Sequence, residues 1–176
     1  MKPKNLLSII LLAAMLALAA CVSREPIEPT PVPLSETFRT ALDNFIVASS
    51  KLNAATGQGV NHNNYQQFYA EAGGAYDLAM ASWPDGFALE AQAEFADAMT
   101  GWRLTGYVWD VDITGRGYLL GSDPHSNEII DYGGEQTVLG GLGSAQVLTN
   151  ENIGVLMSLA SDHFETGRDM ILPLLP

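Results

Sequence analysis

The chain has 176 residues, of which 47% are hydrophobic, and its 20 acidic and 8 basic side chains give a formal charge of −12 at pH 7. A surface of this charge repels nucleic acid and anionic lipid headgroups, which excludes nucleic-acid binding as a function class. One cysteine cannot form an intramolecular disulfide, so a folded domain must depend on its hydrophobic core.

The first 20 residues have the pattern of a secretory signal peptide. Lys2 and Lys4 supply a positive start, and the uncharged apolar stretch 6–20 ends in small residues. This stretch is shorter than the about 20 apolar residues that a membrane-spanning helix needs. The order of charge, apolar segment and small residues predicts a cleaved signal. Its removal takes away both lysines and changes the formal charge from −12 to −14.

The residues LAAC at 18–21 resemble the lipobox of bacterial lipoproteins, in which an aliphatic residue and two small residues precede a cysteine. The resemblance covers residues 1–21. It implies diacylglycerol attachment to the Cys21 sulfur, cleavage before Cys21 and, in many bacteria, acylation of the new amino terminus. Each buried CH₂ of the acyl chains contributes about 0.8 kcal/mol to membrane binding. The alternatives are an ordinary secretory signal and a buried cysteine near the cleavage site.

The resemblance also implies a location in the cell envelope. Val22 differs from the aspartate that retains enterobacterial lipoproteins at the inner membrane. We therefore expect the outer membrane, facing the periplasm, in a diderm host, and otherwise the outer face of the plasma membrane. The expected partners are the membrane, through the lipid on Cys21, and an envelope protein.

Residues 21–34 follow as a lipidated cysteine and a proline-rich tether. Four prolines within 22–34 remove amide donors and favour an extended polyproline conformation. An extended strand packed on the domain is the alternative, although the segment has few large apolar residues. The remaining residues, 35–176, fit a single helical domain.

Two amphipathic helices are predicted first in this domain. Apolar residues recur at spacings of three and four, with Ser35 as the cap of the first helix and Gly57 at its end. A second stripe begins after Asn61, a plausible cap, and WPDG at 83–86 ends it.

The third predicted helix runs from about Phe87 to Val111. Its second half is apolar on all sides and includes Trp102, Tyr107 and Trp109. Such a helix is usually buried on several sides. The alternative is that these aromatic residues form a ligand-binding or partner-binding face.

Glycine-rich sequence then weakens the helical pattern between 112 and 143. A short helix is predicted from Pro124 to about Tyr132 with Asp123 as its cap, and another over 136–148. The last helix begins at a cap, Thr149 or Asn150, and ends at Pro173. We therefore predict an all-α fold, a bundle of about four main helices with a Gly-rich loop insertion before the last.

Asp110 and Asp112 begin a stretch, DVDITG, that has the start of an EF-hand calcium loop. The twelfth position, which should supply a bidentate Glu, is Gly121. Two carboxylates are too few ligands for calcium, so a helix end followed by a polar turn is preferred and no metal is predicted.

His125 and Glu128 form H-x-x-E, a spacing that places both on one helix face. Imelysin-like periplasmic proteins carry the similar motif G-x-H-x-x-E, but Asp123 stands where its glycine should be, and the surrounding sequence differs. Two-ligand spacings of this kind often arise by chance, so a structural histidine is preferred.

The functional hypotheses follow from these patterns. The chain has no dinucleotide fingerprint, P-loop, CxxC or HExxH, and no cofactor or catalytic residue is predicted. The leading hypothesis is a non-enzymatic, lipid-anchored extracytoplasmic module for interaction or envelope structure. The alternatives are a small-ligand or metal-binding lipoprotein and a hydrolase that uses His125 or His163.

Overall fold

The structure, a computed structural model, describes residues 33–140 and 146–175. The predicted signal peptide at 1–20, the lipidation site Cys21 and the tether up to residue 32 lie outside these residues. Leu34–Pro176 form one compact unit.

The described part of the domain is predominantly helical, as predicted, and it also contains a small sheet. Its helices and strands are α1 (Glu36–Gln58), α2 (His62–Ala81), α3 (Leu89–Ile113), β1 (Tyr118–Leu119), α4 (Pro124–Gly133), β2 (Leu139–Gly140), β3 (Gln146–Leu148) and α5 (Thr149–Ile171). Short 3₁₀ turns follow α4 at Gly134–Gln136 and α5 at Leu172–Leu174.

The predicted caps of the first two helices are confirmed. Ser35 Oγ accepts a hydrogen bond from the Phe38 amide at 3.1 Å, and Asn61 Oδ1 accepts one from the Asn64 amide at 3.0 Å. The predicted end of α1 at Gly57 is wrong by two residues. Gly59 has the left-handed conformation, with φ of 84°, that closes the helix, because glycine adopts it without the steric cost of a Cβ.

Among the described elements, helix α3 contributes more buried residues than any other. It packs chiefly against α5, and α1 packs chiefly against α2. The two helices of the first pair are antiparallel, since Phe95 near the start of α3 lies 6.1 Å from Phe164, ring to ring, and Asp112 near its end contacts Thr149. One core cluster surrounds Phe95 and a second surrounds Leu104.

The predicted helix over 136–148 is wrong, because the described parts of this segment, 136–140 and 146–148, include two strands of a three-stranded antiparallel sheet. Residues 141–145 of the predicted helix lie outside the described residues. The strand order is β1-β3-β2, and Leu119 and Leu139 both pair with Val147. Gly140 pairs with Gln146, and the absence of a side chain there leaves room for Leu148, since a Cβ at Gly140 would lie 2.6 Å from Leu148 Cδ2. The pairing of β1 with β3 joins distant positions, which the local helical pattern could not indicate.

Helix α4 begins as predicted, but the start of α5 differs. Asp123 Oδ1 accepts a hydrogen bond from the His125 amide at 2.9 Å. The residue before α5 is Leu148, which has no side-chain cap, so the prediction of Thr149 or Asn150 as cap is wrong. Thr149 is the first helical residue, and its hydroxyl donates to Asp112 Oδ1 at 2.6 Å instead.

The compact unit has two ends that matter for function. At the proximal end, where the chain enters the unit at Leu34, lie the first turn of α1, the connection 82–88 and the start of α3. Phe38 contacts Trp83 and Phe87 there, with ring centroids 5.0 and 5.8 Å apart. The distal end contains the end of α3 and the small sheet. Helix α3, with 25 residues, spans about 37 Å between them.

Candidate functional site

The two aspartates of the calcium-like stretch make separate contacts. Asp110 Oδ1 lies 2.8 Å from His62 Nε2 on α2, whereas Asp112 accepts the hydrogen bond from Thr149 on α5. Within 33–140 and 146–175, no group of three or more His, Cys, Asp or Glu residues is arranged to hold a metal ion. The contacts of these carboxylates therefore connect helices.

His125 and Glu128 also contact different residues. Glu128 forms an ion pair with Arg103 on α3. The His125 ring stacks on Tyr107, with centroids 3.9 Å apart. Each residue of the H-x-x-E pair thus connects α4 to a different position on α3.

The three aromatic candidates of α3 lie in three different environments. Trp102 is fully buried, and its carbonyl accepts a hydrogen bond from Tyr65 Oη at 2.5 Å. Trp109 is half-buried beside Tyr65, and Tyr107 faces α4. None of the three lines the groove described below.

A polar cluster of Tyr107, Asp123 and His125 lies at the distal end. The Tyr107 hydroxyl donates to Asp123 Oδ2 at 2.8 Å, while the other carboxylate oxygen caps α4. His125 Nδ1 is 3.5 Å from Asp123 Oδ1 but lacks a hydrogen bond among the described residues. The cluster fixes the end of α3 against the start of α4.

The cluster shifts the pKa of two of its members. Partial burial alone raises the pKa of the Asp123 carboxyl, but the hydrogen bonds from the His125 amide and the Tyr107 hydroxyl outweigh it and hold this pKa below its usual range. Burial, followed by the hydrogen bond to Asp123, raises the pKa of Tyr107. Near neutral pH these shifts favour a charged Asp123 that accepts from a neutral Tyr107 hydroxyl.

A groove of about 720 Å³ opens beside this cluster, and we call it the distal groove. It is lined by Gly115, Arg116, Tyr118, Leu119, Leu120, Ser122, Asp123 and Pro124. Asp123 joins the groove to the polar cluster, and the Arg116 charge is close enough to act on the pKa of Tyr107. A groove of this volume can hold a small molecule or side chains of another protein.

Large apolar side chains are exposed around the distal groove. Ile113, at the end of α3, is 61% exposed, and Leu120, after β1, is 52% exposed. Tyr118 is exposed on β1 opposite the half-buried Leu148 of β3. Leu139 on β2 is also exposed. Exposed apolar residues grouped near a groove are typical of binding surfaces rather than of solvated loops.

The other two histidines form pairs that link helices. His163 Nδ1 on α5 lies 2.6 Å from Glu94 Oε2 on α3, and His62 pairs with Asp110 between α2 and α3. In the part of the chain that the structure describes, no histidine ring contacts a serine or threonine hydroxyl. Nucleophilic hydrolysis by a serine needs such a contact, so these pairs do not support the hydrolase alternative.

The sequence alone does not reveal the partners that define these contacts. Local patterns identify Asp123 as a cap and Tyr107 as an aromatic candidate, but not the hydrogen bond between them across 16 positions. His62, Glu94 and Arg103 have no local signal, because their partners lie on other helices. An acidic residue close to a histidine along the chain can indicate a contact between the two, but this applies only to local pairs such as Asp123 and His125.

Comparisons with family models, with curated proteins and with solved structures gave no match for this chain. No helix in the described ranges combines the length and the hydropathy needed to cross a membrane.

Proposed function

We propose that this chain is a lipid-anchored extracytoplasmic module that presents the distal end of a helical domain to an envelope protein. Lipid on Cys21 would hold the protein in the outer membrane of a diderm host, or on the outer face of the plasma membrane otherwise. The lipobox resemblance at 18–21 and the signal pattern before it support this anchorage.

We infer that the four long helices, α1, α2, α3 and α5, serve as a bundle-like scaffold. The extensive packing of α3 against α5 and of α1 against α2 supports this arrangement. A rigid scaffold of this kind holds the short elements at its distal end in fixed positions. Those short elements and the loop after β1 carry the exposed Tyr118, Leu120 and Leu139.

The observation that carries the interaction role is the exposure of Ile113, Tyr118 and Leu120 around the distal groove. Exposing these side chains costs stability, since burying one typically contributes about 1.5–3 kcal/mol. A partner that covers them recovers that free energy. The strongly acidic chain has few positive charges to steer it toward nucleic acid, which favours a protein partner.

Site-specific photocrosslinking tests this role in intact cells. A photoreactive residue at Leu120 should yield a discrete adduct with an envelope protein, and the same residue at Val47, which is 70% exposed on α1, should not. Both positions are exposed and apolar, so they differ mainly in location. Equal labelling at the two positions, or none at Leu120, would contradict the interaction role.

The volume and polarity of the distal groove favour a second function, the binding of a small polar ligand beside Arg116 and Asp123. A metabolite screen by thermal shift would detect a ligand through an increase in Tm. Ser122→Trp, at an exposed position of the groove wall, should abolish that increase by filling the groove. A stabilising ligand whose effect survives this substitution would bind elsewhere.

A further inference from the structure

The proximal end of the domain also exposes apolar side chains, and the distal interaction surface does not account for them. Leu89 at the start of α3 is 59% exposed, and Met170, Leu172 and Leu174 are exposed at the end of α5 and just after it. Leu78, near the end of α2, is exposed as well. These exposed apolar residues therefore belong to several elements, which meet at the proximal end where the chain enters the unit.

A second groove, which we call the proximal groove, lies within this surface. Its volume is about 410 Å³, and it is lined by Gly86, Ala88, Leu89, Glu90, Ala91, Met170 and Leu174. Its walls come from the start of α3 and the end of α5, which the antiparallel packing of these helices brings together. Gly167 shows how close that packing is, since a Cβ there would lie 2.9 Å from the Phe95 ring.

Acidic residues lie in the wall of the proximal groove and on the segments that adjoin it. Glu90 lies in the wall, Asp169 is exposed and precedes Met170 in the sequence, and Asp85 is exposed in the connection before α3; we call these three residues the acidic rim. Arg168 is the nearest positive charge on α5, and it is paired with Glu165 and Asp169. This pattern repels anionic lipid, but it can accept the ammonium groups of zwitterionic phospholipid headgroups.

We propose that the proximal groove rests on the zwitterionic lipid surface to which Cys21 is attached. This inference depends on the proposed lipid anchorage. Thirteen residue steps join Cys21 to Leu34, and a chain of that length extends at most about 47 Å. The proximal end is therefore the end that the anchor holds within reach of the bilayer, whereas the distal end is separated from this attachment by a further length of about 37 Å along α3.

Tethering makes a weak apolar contact effective. A linked site binds at the effective concentration that its linker sets, so a groove too small to hold a free protein on a membrane can still hold an anchored one. A second copy of the chain is a poorer occupant, because it would bring Glu90 and Asp169 of one molecule against the same acids of another. The bilayer is thus the occupant that both the tether length and the charge pattern favour.

Thiol chemistry offers a direct test, because acylation of Cys21 leaves no other thiol in the chain. Lipidated full-length Leu172→Cys and Ile113→Cys are each labelled with an environment-sensitive fluorophore and reconstituted in vesicles of phosphatidylethanolamine and phosphatidylcholine. Both positions are exposed and apolar, but they lie at opposite ends of the domain. Quenching by aqueous iodide should fall severalfold at position 172 on transfer from detergent to vesicles and stay unchanged at 113.

Two further measurements test whether the bilayer is the occupant of the proximal groove. Adding Met170→Ser and Leu174→Ser to the Leu172→Cys protein should restore quenching without releasing the protein from the vesicles. Replacing part of the zwitterionic lipid with phosphatidylglycerol should also restore it, because the acidic rim repels that headgroup.

The results that would contradict docking of the proximal groove differ from those that would contradict lipid anchorage at Cys21. Equal quenching at 172 and 113 in vesicle-bound protein would overturn the docking but leave the anchorage intact. If protection of position 172 from iodide increases with the density of protein on the vesicles, a second copy of the chain occupies the groove. That result would also overturn the docking on lipid. A chain that does not associate with vesicles and keeps a free Cys21 thiol would overturn the anchorage, and the docking with it.

Discussion

At the scale of single residues, Asn152 connects the small sheet to helix α5 through three hydrogen bonds. It is fully buried, and its amide nitrogen donates to the carbonyl oxygens of Val138 at 2.8 Å and Leu148 at 2.6 Å. Its side-chain oxygen accepts from the Val138 amide at 3.0 Å. One side chain therefore satisfies polar backbone groups that precede β2 and end β3.

We expect Asn152→Ala to lower the free energy of unfolding by about 1–3 kcal/mol, because it removes three hydrogen bonds and leaves the partly buried Val138 amide without its partner, while the Val138 carbonyl keeps the bond from the Leu148 amide. Asn150→Ala is the matched control on the same helix, at an exposed position, and should change the stability by less than about 0.5 kcal/mol. Denaturant unfolding of both variants measures the difference. A larger loss for Asn150→Ala would mean that the hydrogen bonds of Asn152 do not hold the sheet on α5.

Asp123 provides a pH-dependent test at the same scale. Its pKa is lowered in the folded domain, so its contribution to stability is present above its ordinary pKa of about 3.9 and is lost as the pH falls through the lower folded value. Asp123→Asn keeps a good capping residue but removes the titrating group. The free energy of unfolding should therefore decline less between about pH 5 and about pH 3 in this variant than in the natural protein.

Asp131→Asn is the control for that measurement, because Asp131 is exposed on the same helix. Its pH profile should follow that of the natural protein. If Asp123→Asn declines as steeply as the natural protein, the hydrogen bonds from His125 and Tyr107 do not stabilise the charged carboxylate.

At the scale of secondary-structure elements, the packing of α5 on α3 depends on a glycine. A Cβ at Gly167 would lie 2.9 Å from two ring carbons of Phe95 and 3.1 Å from Glu94 Cβ. Phe95 is fully buried and packs edge-on against Phe45, so the ring has little freedom to move. The close approach of the two helices therefore requires the absence of a side chain at this position.

Gly167→Ala should destabilise the domain by about 1–3 kcal/mol through overpacking. Gly154→Ala on the same helix should stabilise it by up to about 1 kcal/mol, because its Cβ would meet nothing within 4 Å and alanine has the higher helix propensity. Thermal unfolding of the two variants should show shifts in opposite directions. A gain in stability for Gly167→Ala would mean that the contact between α3 and α5 is looser than the structure indicates.

At the scale of the whole molecule, the proposed function depends on one covalent attachment. Cys21→Ser should block maturation, because a hydroxyl cannot accept the thioether-linked lipid, and the protein should remain unprocessed or be cut elsewhere. Mass spectrometry of the N-terminal peptide, together with detergent partitioning, distinguishes these forms. Membrane fractionation alone does not, because the retained apolar stretch 6–20 can still hold the chain on a membrane.

The same measurement on the natural protein provides the decisive control. Its N-terminal peptide should begin at Cys21 and carry acyl mass. An unmodified Cys21 thiol would contradict the anchorage. The distal interaction surface would then belong to a secreted domain that is not attached to lipid.

The sequence by itself determined the features that depend on local physics. Apolar residues three and four apart predicted the long helices, and Ser35, Asn61 and Asp123 were identified as caps because a cap bonds an amide two or three residues away. Composition set the charge, and the stretch 1–21 carried the lipobox resemblance. None of these inferences requires knowledge of which distant residues meet.

Only the tertiary structure decided how the segments meet. Leu139–Gly140 and Gln146–Leu148 form strands because Val147 pairs with both Leu119 and Leu139, and Thr149 contacts Asp112 instead of capping α5. Both apolar ends of the domain are likewise assembled from elements far apart in sequence. Contacts of this kind depend on the relative positions of folded elements, which local periodicity does not contain.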